Sequence, residues 1–111
     1  MRLVIAYVQP FLAPRVIDAL HAVPGVTGAT LVDVRGFGRG TRGAAPTAER
    51  IFGTVPRVRV EVAVRDGDAD AVVRAIQTAA HTGQRGDGKV LVLPLDRATR
   101  ISTGEEGEAA V

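Results

Sequence analysis

Two glycine-rich turns contain the residues of this chain whose types and spacing could bind an anion. The first spans residues 36–40, with the letters GFGRG, and the second spans residues 83–89, with the letters GQRGDGK. Glycine has no side chain to keep an anion away from backbone N–H groups, and arginine or lysine supplies a matching positive charge. Both turns are therefore candidate phosphate-binding sites.

Each turn also has a purely structural interpretation. Segment 36–40 lacks the strand-turn-helix setting of a dinucleotide fingerprint, so its pattern alone favours an exposed hairpin with a solvated Arg39. Segment 83–89 lacks P-loop spacing, and Asp-Gly is an ordinary turn pair, so its pattern favours neither interpretation. If the fold brings both turns to one edge, Arg39, Lys89 and the later Arg100 could converge on a polyphosphate.

The residues that usually perform catalysis do not form a recognisable constellation here. The chain has no cysteine, which excludes disulfides and Cys-ligated zinc sites. His21 and His81 have no metal-ligand spacing, and we interpret both as surface residues. Ser102 lacks a G-x-S-x-G elbow, and Glu105, Glu106 and Glu108 are typical of a solvated acidic tail. The sequence therefore predicts a protein that is not an enzyme. A small enzyme such as a weak ATPase is the last-ranked alternative, because no residue is an evident general base.

Length and charge narrow the class of protein further. The 111 residues fit a single domain, 1–111. The net charge is +2, but the arginines are spread along the chain without interleaved aromatics, so no nucleic-acid partner is predicted. No apolar run approaches the roughly 20 residues of a membrane span, and Pro10 interrupts the first apolar segment too early for a secretory signal. We expect a cytoplasmic protein without membrane insertion.

The hydrophobic pattern predicts the elements that must position the two turns. Strict alternation over 57–64 is the clearest strand signal, with Val58, Val60, Val62 and Val64 on one face. The predicted order is strand 2–9, helix 14–23, strand 28–36, loop 36–56, strand 57–64, a second helix and strand 90–95. The second helix follows Asp66, Asp68 and Asp70, and its predicted buried residues are Val72, Ala75, Ile76 and Ala79. This order predicts an α+β, ferredoxin-like βαββαβ sandwich with both helices on one sheet face. Self-association is the simplest cover for the other face.

These segments, in this order, resemble the PII nitrogen-regulatory signalling family. The similar pieces are LVIAYVQPF at the start, GATLVDVRGFGR at 28–39, PRVRVEVAV at 56–64, HTGQRGDGKVLVLPL at 81–95 and RISTGEEGEAAV at 100–111. The resemblance implies a homotrimer that binds ATP, ADP or AMP in clefts between subunits. It also implies that loop 38–55 is a T-loop, which docks onto a regulated partner, and that 100–111 is a C-terminal segment.

The resemblance assigns nucleotide-binding roles to residues of this chain. Near the adenine it places Thr30, Glu61 and Ala63. At the base of the T-loop it places Gly36, Phe37, Gly38 and Arg39. Around the phosphates it places Gly86, Asp87, Gly88 and Lys89, with Arg100 reaching them.

Several positions depart from the family pattern. Gly40 replaces the glutamine that helps to hold a magnesium ion between ATP and 2-oxoglutarate, Gln9 and Arg57 replace lysines, and Ser102 replaces the second arginine of an R-x-R pair. The T-loop has no tyrosine, so uridylylation at the usual site is not available. We therefore predict weaker ATP binding or a preference for ADP or AMP, a poorly held magnesium ion, and no 2-oxoglutarate sensing.

The predicted function is regulation of a partner protein, in particular a transporter, by an adenine-nucleotide-binding PII-like protein. Two alternatives share the fold: a nitrogen-regulatory protein that senses ATP and 2-oxoglutarate, and a regulator associated with carboxysomes or bicarbonate transport. A structural module that has lost its ligand is a further alternative, disfavoured by the retained GDGK letters and Arg100.

Overall fold

The structure, a computed structural model, describes residues 1–38 and 52–111. Most of the predicted T-loop, including Arg39 and Gly40, lies outside the described residues. The elements are β1 Arg2–Val8, α1 Ala13–His21, β2 Thr30–Gly36, β3 Val55–Val64, α2 Ala69–Ala80 and β4 Lys89–Pro94. Short 3-10 turns at Pro10–Leu12 and Asp66–Asp68 lead into the two helices.

The four strands form one antiparallel sheet in the order β2-β3-β1-β4. Two strands, β3 and β1, are central, and β2 and β4 are the edges. This order is that of a ferredoxin-like sheet, so the predicted α+β class is confirmed. Pro94 ends β4, an edge strand, where a missing N–H costs no ladder hydrogen bond.

One face of the sheet packs on the helices and forms the core. Alternate valines of β3, from Val58 to Val64, are buried against it, as the sequence alternation predicts. The helices contribute their own buried side chains, among them Val16, Leu20, Val72 and Ile76. Ala75, predicted to belong to this buried stripe, is only half-buried because it lies at its margin. Among the described residues no helix is long and apolar enough to cross a membrane.

The opposite face of the sheet combines charged and apolar side chains. Cross-strand register places Glu61 beside Ile5 and Ile5 beside Leu91 on this face. Leu91 and Leu93 of the edge strand β4 are 43% and 39% exposed, although leucine is among the residue types most often buried. A second copy of the chain could bury these groups, and the homotrimer remains a prediction.

The C-terminal segment forms a small hairpin that the sequence patterns did not predict. Thr99 and Glu106 make an antiparallel bridge, and Arg100 and Glu105 close the turn with an N–H···O bond of 2.8 Å. Gly104 has a φ of +77°, which glycine adopts without steric cost. The segment is thus ordered by its own backbone hydrogen bonds, which an acidic, glycine-containing tail does not reveal in its composition.

Candidate functional site

The turn between α2 and β4 is built around the carboxylate of Asp87. It accepts hydrogen bonds from the N–H groups of Thr82 at 2.8 Å and Gly83 at 3.0 Å, and from the Thr82 hydroxyl. The Thr82 side chain is the largest cause that holds the pKa of Asp87 below its usual value, followed by the Thr82 N–H. The carboxylate of Asp87 is therefore directed into its own turn, and the group of Asp87 that remains without a partner among the described residues is its backbone N–H.

The backbone at Gly86–Gly88, which we call the nest, has an alternation of φ signs like that found in anion-binding concavities. Gly86 and Gly88 have φ values of +92° and +104°, whereas the φ of Asp87 between them is not positive. Alternation of this kind turns successive N–H groups toward one side. Within the described residues no hydrogen-bond acceptor faces the N–H groups of Gly86, Asp87 and Gly88. Among the described residues, these three N–H groups thus have no hydrogen-bond partner.

Gly88 has no room for a side chain unless the surrounding backbone moves. A Cβ atom added to it would lie 1.7 Å from the carbonyl oxygen of Tyr7, far inside contact distance. Tyr7 pairs with Lys89 across β1 and β4, so the turn must approach the end of β1 closely for β4 to begin. The glycine letters that sequence analysis singled out therefore have a structural requirement as well as a possible role with an anion.

Two side chains from distant parts of the chain support the same turn. Gln9 Nε2 donates to the carbonyl oxygen of Gly86 at 2.9 Å. Arg57 Nη2 lies 3.3 Å from the point where a Cβ on Gly86 would be, and burial lowers the pKa of Arg57 from its usual value. The guanidinium stays protonated, since arginine does not lose its proton in proteins. In the sequence, both residues stand out only as departures from a family pattern.

The residues predicted to lie near the adenine form a separate group. Thr30 and Glu61 are direct partners across β2 and β3, and Ala63 follows on the same face. Thr30 is on one edge strand and Lys89 on the other, three strand spacings apart, which is about 14 Å. Within a single chain, the residues predicted to lie near the adenine and those predicted to lie around the phosphates thus do not form one compact site.

The neck of the long loop leaves the sheet at the end where the nest lies. Gly36 pairs with Val55, and Arg35 joins the two sides of the neck by donating from Nε to Thr54 Oγ1 at 3.2 Å and from Nη2 to the Thr54 carbonyl at 3.4 Å. Phe37 is 80% exposed. Arg39, predicted to complete this part of the site, lies outside the described residues.

Arg100 lies in the C-terminal hairpin and its side chain is turned toward the end of the chain. Its Nη2 donates to the Ala109 carbonyl at 3.4 Å. In the part of the chain that the structure describes, no hydrogen bond or ion pair joins Arg100 to the nest or to Lys89. The predicted convergence of Arg100 with Lys89 is therefore not seen within one chain.

An open groove of about 360 Å³ lies beside the turn, between the end of α2 and the start of β4. Its floor includes Ile76 and Ala80, and its rim includes His81, Gly88 and Lys89. Within residues 1–38 and 52–111, no group of three or more His, Cys, Asp or Glu side chains could hold a metal ion. The groups that line this groove near the turn therefore include backbone N–H donors and one lysine.

Comparison with known proteins gives these features a family. The family model of nitrogen regulatory protein P-II matches residues 1–105. The chain is 40% identical to nitrogen regulatory protein P-II of Azospirillum brasilense over 113 residues and 40% identical to nitrogen regulatory protein GlnK of Escherichia coli K12 over 114 residues, with all of both chains covered in each case. It is 37% identical to the P-II protein of Rhodospirillum rubrum, again over the full length. The chain therefore belongs to the nitrogen regulatory protein P-II family.

Proposed function

We propose that this protein is a signalling regulator that binds an adenine nucleotide, ATP or ADP/AMP, and controls a partner protein through loop 38–55. The observation that carries the proposal is the nest, whose N–H groups at Gly86–Gly88 have no acceptor among the described residues and which is followed directly in the chain by Lys89. A phosphate group matches both the hydrogen-bond donors and the positive charge.

The nucleotide site is proposed to lie between subunits of a homotrimer. Within one chain Thr30 and Lys89 occupy opposite edges of the sheet. A binding site that includes the adenine-contacting residues of one chain is therefore best completed by the nest of another chain. The half-exposed apolar side chains on the open face, including Leu91 and Leu93, favour such an assembly because burying them is favourable.

The partner is proposed to be a transporter, contacted through the loop whose neck is joined by Arg35 and Thr54. The neck leaves the sheet at the same end as the nest, so a bound nucleotide and the loop base would be neighbours. Binding energy at the nest could then change the conformations available to the loop, provided that the nucleotide contacts one of them better than another. Gly40 lacks a side chain to hold a magnesium ion, so nucleotide binding is expected to depend little on magnesium.

Calorimetry with ATP, ADP and AMP, with and without magnesium, tests the nucleotide proposal. Replacing Lys89 with Ala is expected to weaken ATP binding by roughly tenfold to a hundredfold, the effect of losing one charge-assisted hydrogen bond. Replacing Arg74, an exposed arginine on α2, with Ala is the matched control and should leave the affinity unchanged. If the unmodified protein binds none of the three nucleotides, the proposal is wrong.

A second candidate function is nitrogen-regulatory sensing of ATP together with 2-oxoglutarate. The names of the relatives, nitrogen regulatory protein P-II and GlnK, favour it. The absence of the glutamine at position 40 disfavours it. Tight binding of 2-oxoglutarate that requires magnesium and ATP would decide for this candidate, and calorimetry with all three components measures it.

A further inference from the structure

We propose that Gln9 is a positioning residue that sets the orientation of the nest toward phosphate. The proposal rests on the nucleotide function proposed above and names a residue through which that function is achieved. The observation is the 2.9 Å hydrogen bond from Gln9 Nε2 to the carbonyl oxygen of Gly86, which joins residues 77 positions apart. It connects the residue that follows β1 to the middle of the turn.

A rigid peptide plane transmits this bond to the nest. In a trans peptide the C=O of Gly86 and the N–H of Asp87 point in opposite directions. Because Gln9 holds the carbonyl on its own side, the Asp87 N–H faces the other side, where the described residues provide no acceptor. A flip of this plane would replace a donor by a carbonyl oxygen, which repels an anion.

The plane needs such a restraint because glycine on its N-terminal side resists rotation weakly. Gly86 has a φ of +92° and no side chain, so alternative backbone conformations cost little. The Asp87 carboxylate fixes a different part of the turn, since its bonds go to Thr82 and Gly83. Arg57 lies close to Gly86, but within the described residues its guanidinium donates to the Pro56 carbonyl instead. Among the described residues, Gln9 is thus the side chain that restrains the Gly86–Asp87 plane.

A merely structural role for Gln9 makes a different prediction. If Gln9 only contributed to stability, its loss would affect all ligands equally or affect none. If it orients the nest, its loss weakens ligands that carry phosphate and spares adenosine, which lacks phosphate. The ratio of ATP affinity to adenosine affinity therefore separates the two roles.

The test uses calorimetric titration of the full chain with ATP, ADP and adenosine. Gln9→Ala is expected to weaken ATP and ADP by roughly threefold to tenfold, the value of one neutral hydrogen bond, with adenosine unchanged. Gln9→Glu should weaken them more, because a carboxylate cannot donate to the Gly86 carbonyl and repels the phosphates. Gln9→Lys keeps a donor and should restore most of the affinity. Gln84→Ala, in the same turn but with no side-chain hydrogen bond in the described part of the chain, is the control and should match the unmodified protein.

Equal losses for adenosine and ATP, or an unchanged ATP affinity in Gln9→Ala, would overturn the proposal. Amide ¹⁵N relaxation of the ligand-free protein separates this result from a failure of the proposed function. The order parameters of Gly86 and Asp87 should fall in Gln9→Ala and not in Gln84→Ala, whether or not a nucleotide binds. If the unmodified protein binds no nucleotide, the nucleotide function fails, and unchanged order parameters would then reject the positioning role as well.

Discussion

Replacing Gly88 with Ala tests the requirement that the turn before β4 approach the end of β1. The new Cβ would lie 1.7 Å from the Tyr7 carbonyl oxygen, so the two atoms must separate by at least 1.3 Å to reach the 3.0 Å below which real contacts hardly occur. Gly88 also has a φ of +104°, which costs an alanine about 1–3 kcal/mol. Opening the adjoining Tyr7–Lys89 pair removes one or two hydrogen bonds, each contributing about 0.5–1.5 kcal/mol. Together these effects predict a loss of about 1.5–6 kcal/mol.

Two further glycines separate the contributions to this loss. Gly104 has a φ of +77° but open space where a Cβ would lie, so Gly104→Ala should lose only the backbone strain, about 1–2 kcal/mol. Gly67 has neither a positive φ nor a near neighbour, so Gly67→Ala should be neutral or slightly stabilising. Each comparison isolates one physical effect.

Urea unfolding at a fixed protomer concentration measures all three variants, since an oligomer's stability depends on concentration. The midpoints should decrease in the order Gly67→Ala, Gly104→Ala, Gly88→Ala with an unchanged m-value. A Gly88→Ala variant within about 0.5 kcal/mol of Gly104→Ala would refute the close approach to Tyr7.

Three other predictions concern the pH dependence, the open face and the core. Hydrogen bonds from Thr82 hold the Asp87 pKa below its usual value of 3.8, so the ionised carboxylate stabilises the folded state above that pH, and this stabilisation is lost as the pH falls through the lowered pKa. In acid titrations, Asp87→Asn should therefore lose less unfolding free energy over this pH range than the unmodified protein does. Leu91→Glu on the open face should shift the sedimentation coefficient toward that of the monomer. Val92→Glu should not, because Val92 is similarly exposed but faces the other side of the same strand. Ile76→Ala removes a side chain that is 0% exposed and should lower the unfolding free energy by about 2–5 kcal/mol in urea titrations.

The sequence by itself determined the elements, because their signals are local. Alternation at 57–64 predicts β3, since successive side chains of a strand point to opposite faces, and Val58, Val60, Val62 and Val64 are indeed buried. The order of elements then restricts the topology to a ferredoxin-like sheet, which the strand order confirms. The family resemblance was also accessible, because the TG-x-x-GDGK letters are contiguous in the chain.

The tertiary structure decided how the glycine turn is used. Three features depend on backbone angles that the sequence letters do not encode. They are the hydrogen bonds that hold the Asp87 carboxylate, the nest N–H groups that have no acceptor among the described residues, and the clash that a side chain at Gly88 would make. Gln9, which follows β1, and Arg57, in β3, both lie against Gly86, and no local pattern links residues so far apart along the chain. The sheet order also separates Thr30 from Lys89 by the width of the sheet. Residue types and spacing thus indicated candidate phosphate-binding residues, while long-range packing decided how their backbone and side-chain atoms are arranged.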